Sequence, residues 1–272
     1  MNITAQSSVV NSSLANPLFA NKSLVNSPLN KLTVAKTFSP QENHLLAAMS
    51  HDEWSKLEPE MEEVEFSLNQ VLSESGKTPA YMYFPTTAIV SLLYMTESGS
   101  SSEVAVIGND GVVGISLVLS GSNSLNHAVV LSAGRGYRIR ALAAKNAIKR
   151  DGSTLNILLR YSQAMITQVT QTAVCNRHHT IDQQLCRRLL LSLDRLSTNE
   201  IYMTQEMLAS MLGVRRESVT DAALKLQSAG IISYKRGLIT ILDRKALESR
   251  SCECYAISTK EQLRLQKLPL VS

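Results

Sequence analysis

The spacing of apolar and polar positions changes character twice along the chain. Across residues 60–140, apolar positions alternate with polar ones or run together for five to eight residues, as in EVEFSLNQVLSE, YMYFPTTAIVSLLYM, SEVAVIG and HAVVLSAGRGYRIR. Ser, Gly, Asn and Pro separate these runs, so the region predicts short strands joined by turns and rolled into a sandwich or barrel. Two short helices, over residues 42–49 and 51–57, are expected ahead of it. A helical period then takes over. Leu155, Leu159, Ser162, Ile166, Val169, Ala173 and Asn176 fall alternately four and three apart, with no Pro or Gly between them. That is the seam of a parallel helix pair, although one long helix lying on its own barrel gives a similar spacing. A further helix over residues 180–196 turns Leu185, Leu189, Leu190 and Leu193 inward, with Arg187 and Arg188 expected outward.

The second change comes at IYMTQEMLASMLGVRRESVTDAALKLQSAGIISYKRGLITILD, residues 201–243. Thr204 supplies a capping hydroxyl, and Met207, Leu208, Met211 and Leu212 repeat at helical spacing, which predicts a short helix over residues 205–212. Gly213 ends it in the left-handed conformation that allows a tight reversal. A second helix over residues 215–228 places Val219, Ala222, Ala223 and Leu226 inward and Arg216, Glu217, Thr220 and Asp221 outward. IISY and LITIL, joined through Lys235, Arg236 and Gly237, then read as a two-stranded wing with a cationic tip. An isolated charged helix is most often a solvated face. Here a short helix, a Gly turn, a helix opening on Arg-Arg-Glu and a hairpin with a Lys-Arg-Gly tip occur in the order and lengths of a winged helix-turn-helix. Arg216, Glu217, Thr220 and Asp221 are the candidates for reading base edges in a major groove. Thr204, Arg215, Ser218, Lys235 and Arg236 are the candidates for phosphate contacts.

Composition and charge sharpen this picture. The chain has 272 residues and is 44% apolar, enough for two modest cores. No uncharged apolar run approaches the roughly 18 residues that span a bilayer, so no membrane role and a cytoplasmic location are expected. Residues 1–40 hold six Asn, seven Ser and three Lys, no acidic residue, and Pro17, Pro28 and Pro40. A disordered arm is expected there. The net +4 is unevenly spread: residues 41–152 carry eight Lys or Arg against thirteen Asp or Glu, and residues 153–272 carry sixteen against ten. The basic half holds the expected reader, which favours a polyanionic partner.

The stretch LGVRRESVTDAALKLQSAGIISYKRGLITILDRKALE, together with FPTTAIVSLLY and IGNDGVVG, resembles the CRP/FNR superfamily of bacterial transcription regulators from about His44 to Leu265. The resemblance implies an α+β chain. A double-stranded β-helix of the cyclic-nucleotide-binding-like kind is expected over residues 41–153, a dimerisation helix over 154–176, a winged helix-turn-helix over 177–250, and a tail over 251–272. It also implies a homodimer on a roughly palindromic double-stranded DNA site, and contact with RNA polymerase where the regulator activates.

In that family a glycine-led turn cradles a ligand phosphate, with a carboxylate soon after the glycine and an arginine further on. Here Gly108, Gly111 and Gly114 are followed by Ile115, and the arginine position falls near His127. The expected effector pocket is therefore Gly111, Gly114, Ile115 and His127, a set ill suited to a cyclic nucleotide phosphate; a cyclic-nucleotide-responsive regulator with an atypical pocket is the alternative. No cofactor is expected. The cysteines are Cys175, Cys186, Cys252 and Cys254, none near the N-terminus where the family's oxygen sensors hold an iron–sulfur cluster. Cys252-Glu-Cys254 is too tightly spaced for a usual zinc knuckle and shows no partner pair or nearby His along the sequence. It reads as part of the tail's packing, with a redox role as the alternative and no metal site expected. His178, His179 and Asp182 raise metal-assisted hydrolysis, but adjacent helical His residues point about 100° apart, and no nucleophile stands with a base at useful spacing. The chain is expected not to be an enzyme. A regulator that acts through protein contacts alone is the remaining competitor.

Overall fold

The computed structural model describes residues 39–119, 123–150 and 152–267. All but the last two residues of the N-terminal arm, and the end of the tail, lie outside them. Two short helices, α1 (His44–Ala47) and α2 (His51–Leu57), lead into seven strands: β1 (Met61–Phe66), β2 (Val71–Ser73), β3 (Tyr81–Pro85), β4 (Ile89–Met95), β5 (Ser101–Ile107), β6 (His127–Ser132) and β7 (Gly134–Arg140). They form two antiparallel sheets, ordered β1-β7-β3 and β2-β6-β4-β5. The chain crosses between sheets at the short β3–β4 and β6–β7 connections, which rolls the pair into a barrel. Asn43 fixes α1 to this barrel. Its Oδ1 accepts from the N–H groups of Leu45 and Leu46, while its Nδ2 donates to the carbonyls of Pro85 and Gly111 at 2.8 and 2.9 Å.

After the barrel come α4 (Ala141–Arg150), the 27-residue α5 (Gly152–His178) and α6 (Ile181–Leu193). The small α3 (Ser116–Leu119) sits between β5 and β6. The reader follows, with β8 (Glu200–Tyr202), α7 (Gln205–Leu212), α8 (Arg216–Ser228), β9 (Ile232–Lys235) and β10 (Leu238–Ile241). The chain closes with α9 (Arg244–Arg250) and α10 (Glu253–Lys267), which packs along α5. Neither α4 nor α10 stands out in the sequence pattern. Among the described residues no helix is long and apolar enough to cross a membrane.

The β-sheet containing β4 and β6 is buried on both faces, which explains why AIV and AVVL are continuous apolar runs rather than alternating ones. One face carries Val90, Ile107, Ala128 and Val130 into the barrel core with Phe66. The other carries Ile89 and Leu131, with Val106, into a cluster shared with Leu185, Leu189, Leu190, Leu208, Val219 and Leu226 of the reader. The barrel and the reader therefore have a common apolar seam.

Two buried ion pairs reinforce that seam, and they correct the expectation that Arg187 and Arg188 face solvent. Arg188 Nη2 donates to Glu103 Oε2 at 2.9 Å, while its Nε lies 2.6 Å from Oε1 as an ion-pair contact off the N–H direction. Ser91 Oγ donates to the same carboxylate at 2.6 Å. Arg195 meets Asp110 through Nε at 3.0 Å and through Nη2, and Gln262 of α10 donates to Asp110 Oδ2 at 2.6 Å. Arg187 is also buried, and its Nη2 donates to Thr172 Oγ1 at 3.0 Å. Burial draws the pKa of Arg188 down, against the pull of Glu103 upward. The carboxylate partner accounts for a guanidinium at so buried a position.

Candidate nucleic-acid interface

The reader forms where apolar periodicity and turn residues meet. Thr204 caps α7, its Oγ1 accepting from the N–H of Met207 at 3.1 Å. Gly213 adopts φ 65° and ψ 33°, which lets Val214 N–H bond back to Ala209 O at 3.0 Å and turns the chain into α8. Arg215 is the N-cap residue of α8 and provides no side-chain cap. The first N–H groups of that 13-residue helix therefore point outward with the positive end of its dipole, beside the exposed cations of Arg215 and Arg216.

Val219, Ala222, Ala223 and Leu226 are buried under α8, whereas Arg216, Glu217 and Asp221 are exposed and Ser218 is half-buried. Thr220 differs. Its hydroxyl lies 3.0 Å from both Gln205 Oε1 and Arg216 O, so its one hydrogen is engaged inside the motif and ties α7 to α8. Asp182 at the start of α6 pairs with Lys225 of α8 at 2.9 Å, which anchors the helix from its other end.

The wing turns through Arg236 and Gly237, with φ of 49° and 85°. Positive φ at both central residues is the hairpin geometry that matches strand twist, and here it holds Arg236 at the tip in a conformation usually left to Gly or Asn. Met203 N–H donates to Gly237 O at 2.8 Å, so Thr204, Lys235 and Arg236 share one edge. Tyr234 backs that edge, its hydroxyl donating to Met203 O at 2.7 Å; burial pushes its pKa up to about 12, with Arg216 pulling the other way.

Of the residues expected to form an effector pocket, Gly111, Ile115 and His127 are each engaged by the chain itself. A Cβ at Gly111 would stand 2.6 Å from the Tyr161 ring of α5, and one at Gly108 would stand 2.7 Å from the Arg195 side chain. These two glycines make room for the chain's own long side chains. Ile115 joins the core cluster with Leu117, Ile139 and Ile157, and His127 pairs in register with Leu93. A cavity of about 400 Å³ lies elsewhere, between α1, α5 and α10, walled by Leu45, Asp110, Ile157, Tyr161, Gln262 and Leu265.

Along α5, Leu159, Ile166 and Val169 are 44%, 59% and 38% exposed, Ala173 is exposed and Leu155 is half-buried. These leave an open apolar stripe. Ser162 breaks it: its side chain is buried and donates to Leu158 O at 2.8 Å, which corrects its expected place on the seam. The reading of Cys252 and Cys254 as having no partner pair or nearby His is also corrected. Cys175 Sγ lies 3.5 Å from Cys252 Sγ, and Cys254 Sγ lies 3.5 Å from His179 Nδ1. The signal was the Cys175-His179 spacing of four at the end of a helix. His178 is exposed and Asp182 is occupied with Lys225, so the hydrolytic trio does not converge.

A double-sheet barrel is thus joined through a long helix to a winged helix-turn-helix. Residues 183–250 match the Crp-like helix-turn-helix domain family. A comparison with curated protein sequences finds no match. Among solved structures, a Crp/Fnr-family transcriptional regulator from Eubacterium rectale aligns at TM-score 0.59 and 17% identity, covering 75% of this chain and 96% of that one. FixK2 from Bradyrhizobium japonicum aligns at TM-score 0.60 and 16% identity, covering 71% and 98%. The c-di-GMP responsive regulator CLP from Xanthomonas campestris aligns at TM-score 0.56 and 12% identity, covering 71% and 100%. Residues 183–250 thus carry a Crp-like helix-turn-helix domain, and the chain shares the fold of solved CRP/FNR-family regulators.

Proposed function

We propose that the chain is a transcription regulator of the CRP/FNR type that acts as a homodimer on a roughly palindromic double-stranded DNA site. The carrying observation is the continuous exposed edge built from the uncapped start of α8 and the Arg236-Gly237 wing tip. Arg216, Glu217 and Asp221 read base edges, with Thr220 bracing them. Thr204, Arg215, Ser218, Lys235 and Arg236 hold phosphates, and Thr204 still has its hydroxyl hydrogen to donate because its cap bond uses only a lone pair. The apolar stripe Leu159, Ile166, Val169 and Ala173 is the dimer seam, which spaces two recognition helices about one DNA turn apart. In this reading residues 41–153 are the sensor barrel, 154–176 the dimerisation helix and 177–250 the reader. Cyclic nucleotide is not the signal, because Tyr161 and Arg195 lie over the glycines that would approach its phosphate. Where the protein activates, it contacts RNA polymerase.

Sedimentation of the purified chain together with selection of bound sites from random DNA tests this. A dimer that selects an inverted repeat supports the reading. A monomer, or a chain without salt-sensitive DNA binding, favours a regulator that acts through protein contacts.

A further inference from the structure

Cys175 and His179 lie one helical turn apart at the end of α5, and Cys252 and Cys254 lie at the junction of α9 and α10. The three sulfurs and the imidazole nitrogen all lie within 4.8 Å of one another. Around a tetrahedral zinc ion, with Zn–S near 2.3 Å and Zn–N near 2.0 Å, sulfurs stand about 3.8 Å apart and sulfur and nitrogen about 3.5 Å apart. The observed 3.5 Å contacts, Cys175 to Cys252 and Cys254 to His179, are close to those separations. Four ligand atoms this close together fit a single ion and are too close to wrap a polynuclear iron–sulfur cluster.

Two features around the cluster point the same way. His179 faces Cys254 through Nδ1, while its Nε2 lies 3.3 Å from Glu253 Oε1. A carboxylate accepting from the far nitrogen is the usual outer partner of a metal-bound histidine, because it fixes the tautomer and raises ligand basicity. Arg187 is the second. It is buried, its Nε has no hydrogen-bond partner, and among the described residues it forms no ion pair. It lines the same small cavity as Cys175. Zinc with three thiolates and a neutral imidazole carries a net charge of −1, which is the counter-charge this guanidinium otherwise lacks.

We propose that Cys175, His179, Cys252 and Cys254 form a structural zinc site that clamps α10 and the end of the reader to the long helix. On binding, three thiol protons leave to solvent as the Zn–S bonds form, and no redox step is involved. The ion spans 77 residues of sequence, from Cys175 to Cys252, and closes at the junction between α5 and the helices that follow the wing.

The test uses the full chain, purified under reducing conditions with any affinity tag removed. Metal analysis is expected to find about one zinc per chain, and cobalt exchanged into the site should give intense visible bands of tetrahedral thiolate coordination. Cys254→Ser should lose the metal, whereas Cys186→Ala, a buried thiol of the reader core outside the cluster, should retain it. Glu253→Gln leaves all four ligands in place and should weaken zinc by roughly 10- to 100-fold, an effect that loss of folding alone does not produce. Protein that is folded by circular dichroism, fully reduced, free of zinc and silent to added cobalt overturns the proposal. So does a Cys175–Cys252 disulfide as the resident state, or iron in place of zinc.

Discussion

Arginines serve opposite ends in two regions of this molecule. At the seam between barrel and reader, Arg188 and Arg195 are buried and matched to Glu103 and Asp110, so their charges are satisfied within the chain. On the reading edge, Arg215, Arg216 and Arg236 are exposed, and among the described residues no ion pair joins them to a carboxylate. The glycines divide in the same way. Gly108 and Gly111 are filled by the chain's own Arg195 and Tyr161, whereas Gly213 only turns the backbone and leaves the surface open. The seam is closed on itself, and the edge is left open to solvent. A cation's type says little about its role until its partner is known.

The largest effect should come from breaking the closed side. Glu103→Ala leaves Arg188 buried without its carboxylate and should cost about 3–5 kcal/mol of unfolding free energy, read by denaturant titration. A loss below about 1 kcal/mol would show that water reaches Arg188 and that the seam is not closed.

On the open side, Arg216→Ala should leave stability nearly unchanged and cost about 1–3 kcal/mol on the specific site, relaxing preference at one base pair per half-site. Site selection that returned the parent consensus would remove Arg216 from the reading edge. Arg215→Ala at the helix cap should instead weaken all sequences similarly.

A smaller change is expected at the wing. Converting Lys235 and Arg236 together to Ala should lower affinity for target and random DNA alike, with the slope of log affinity against log salt reduced by roughly 3–4 for a dimer that loses two cations from each subunit. A loss confined to the target would make the tip a base reader. The smallest expected effect is none: cyclic AMP should change neither DNA affinity nor thermal midpoint, and micromolar binding by calorimetry would show that the glycine turn opens after all.

How far the sequence shows this arrangement depends on how local each cause is. The helix over Gln205–Leu212, the Gly213 turn and the wing follow from neighbours a few residues apart, and the structure forms them where periodicity and capping place them. The burial of Arg187 and Arg188 does not follow locally, because Glu103 lies 85 residues from Arg188. A helical period marks which way a side chain points, not whether an acidic strand will cover it. α4 starts directly from β7 without a break, and α10 has its apolar residues interrupted by polar ones that face α5, so neither stands out. The thiol cluster was half visible, in a Cys and a His four apart, but its other half arrives only when α10 folds back.

The apolar seam also sets the terms on which any signal operates. To swing relative to the barrel, the reader must expose Ile89, Val106 and Leu131 and separate guanidinium from carboxylate at two places. Such a movement resembles partial unfolding more than hinge bending, and its free-energy gap bounds what an effector must supply through differential affinity for the two states. A weak ligand would leave the population nearly where it was. Any such movement therefore has a threshold, and the buried carboxylates Glu103 and Asp110 are the positions where single substitutions would change its height.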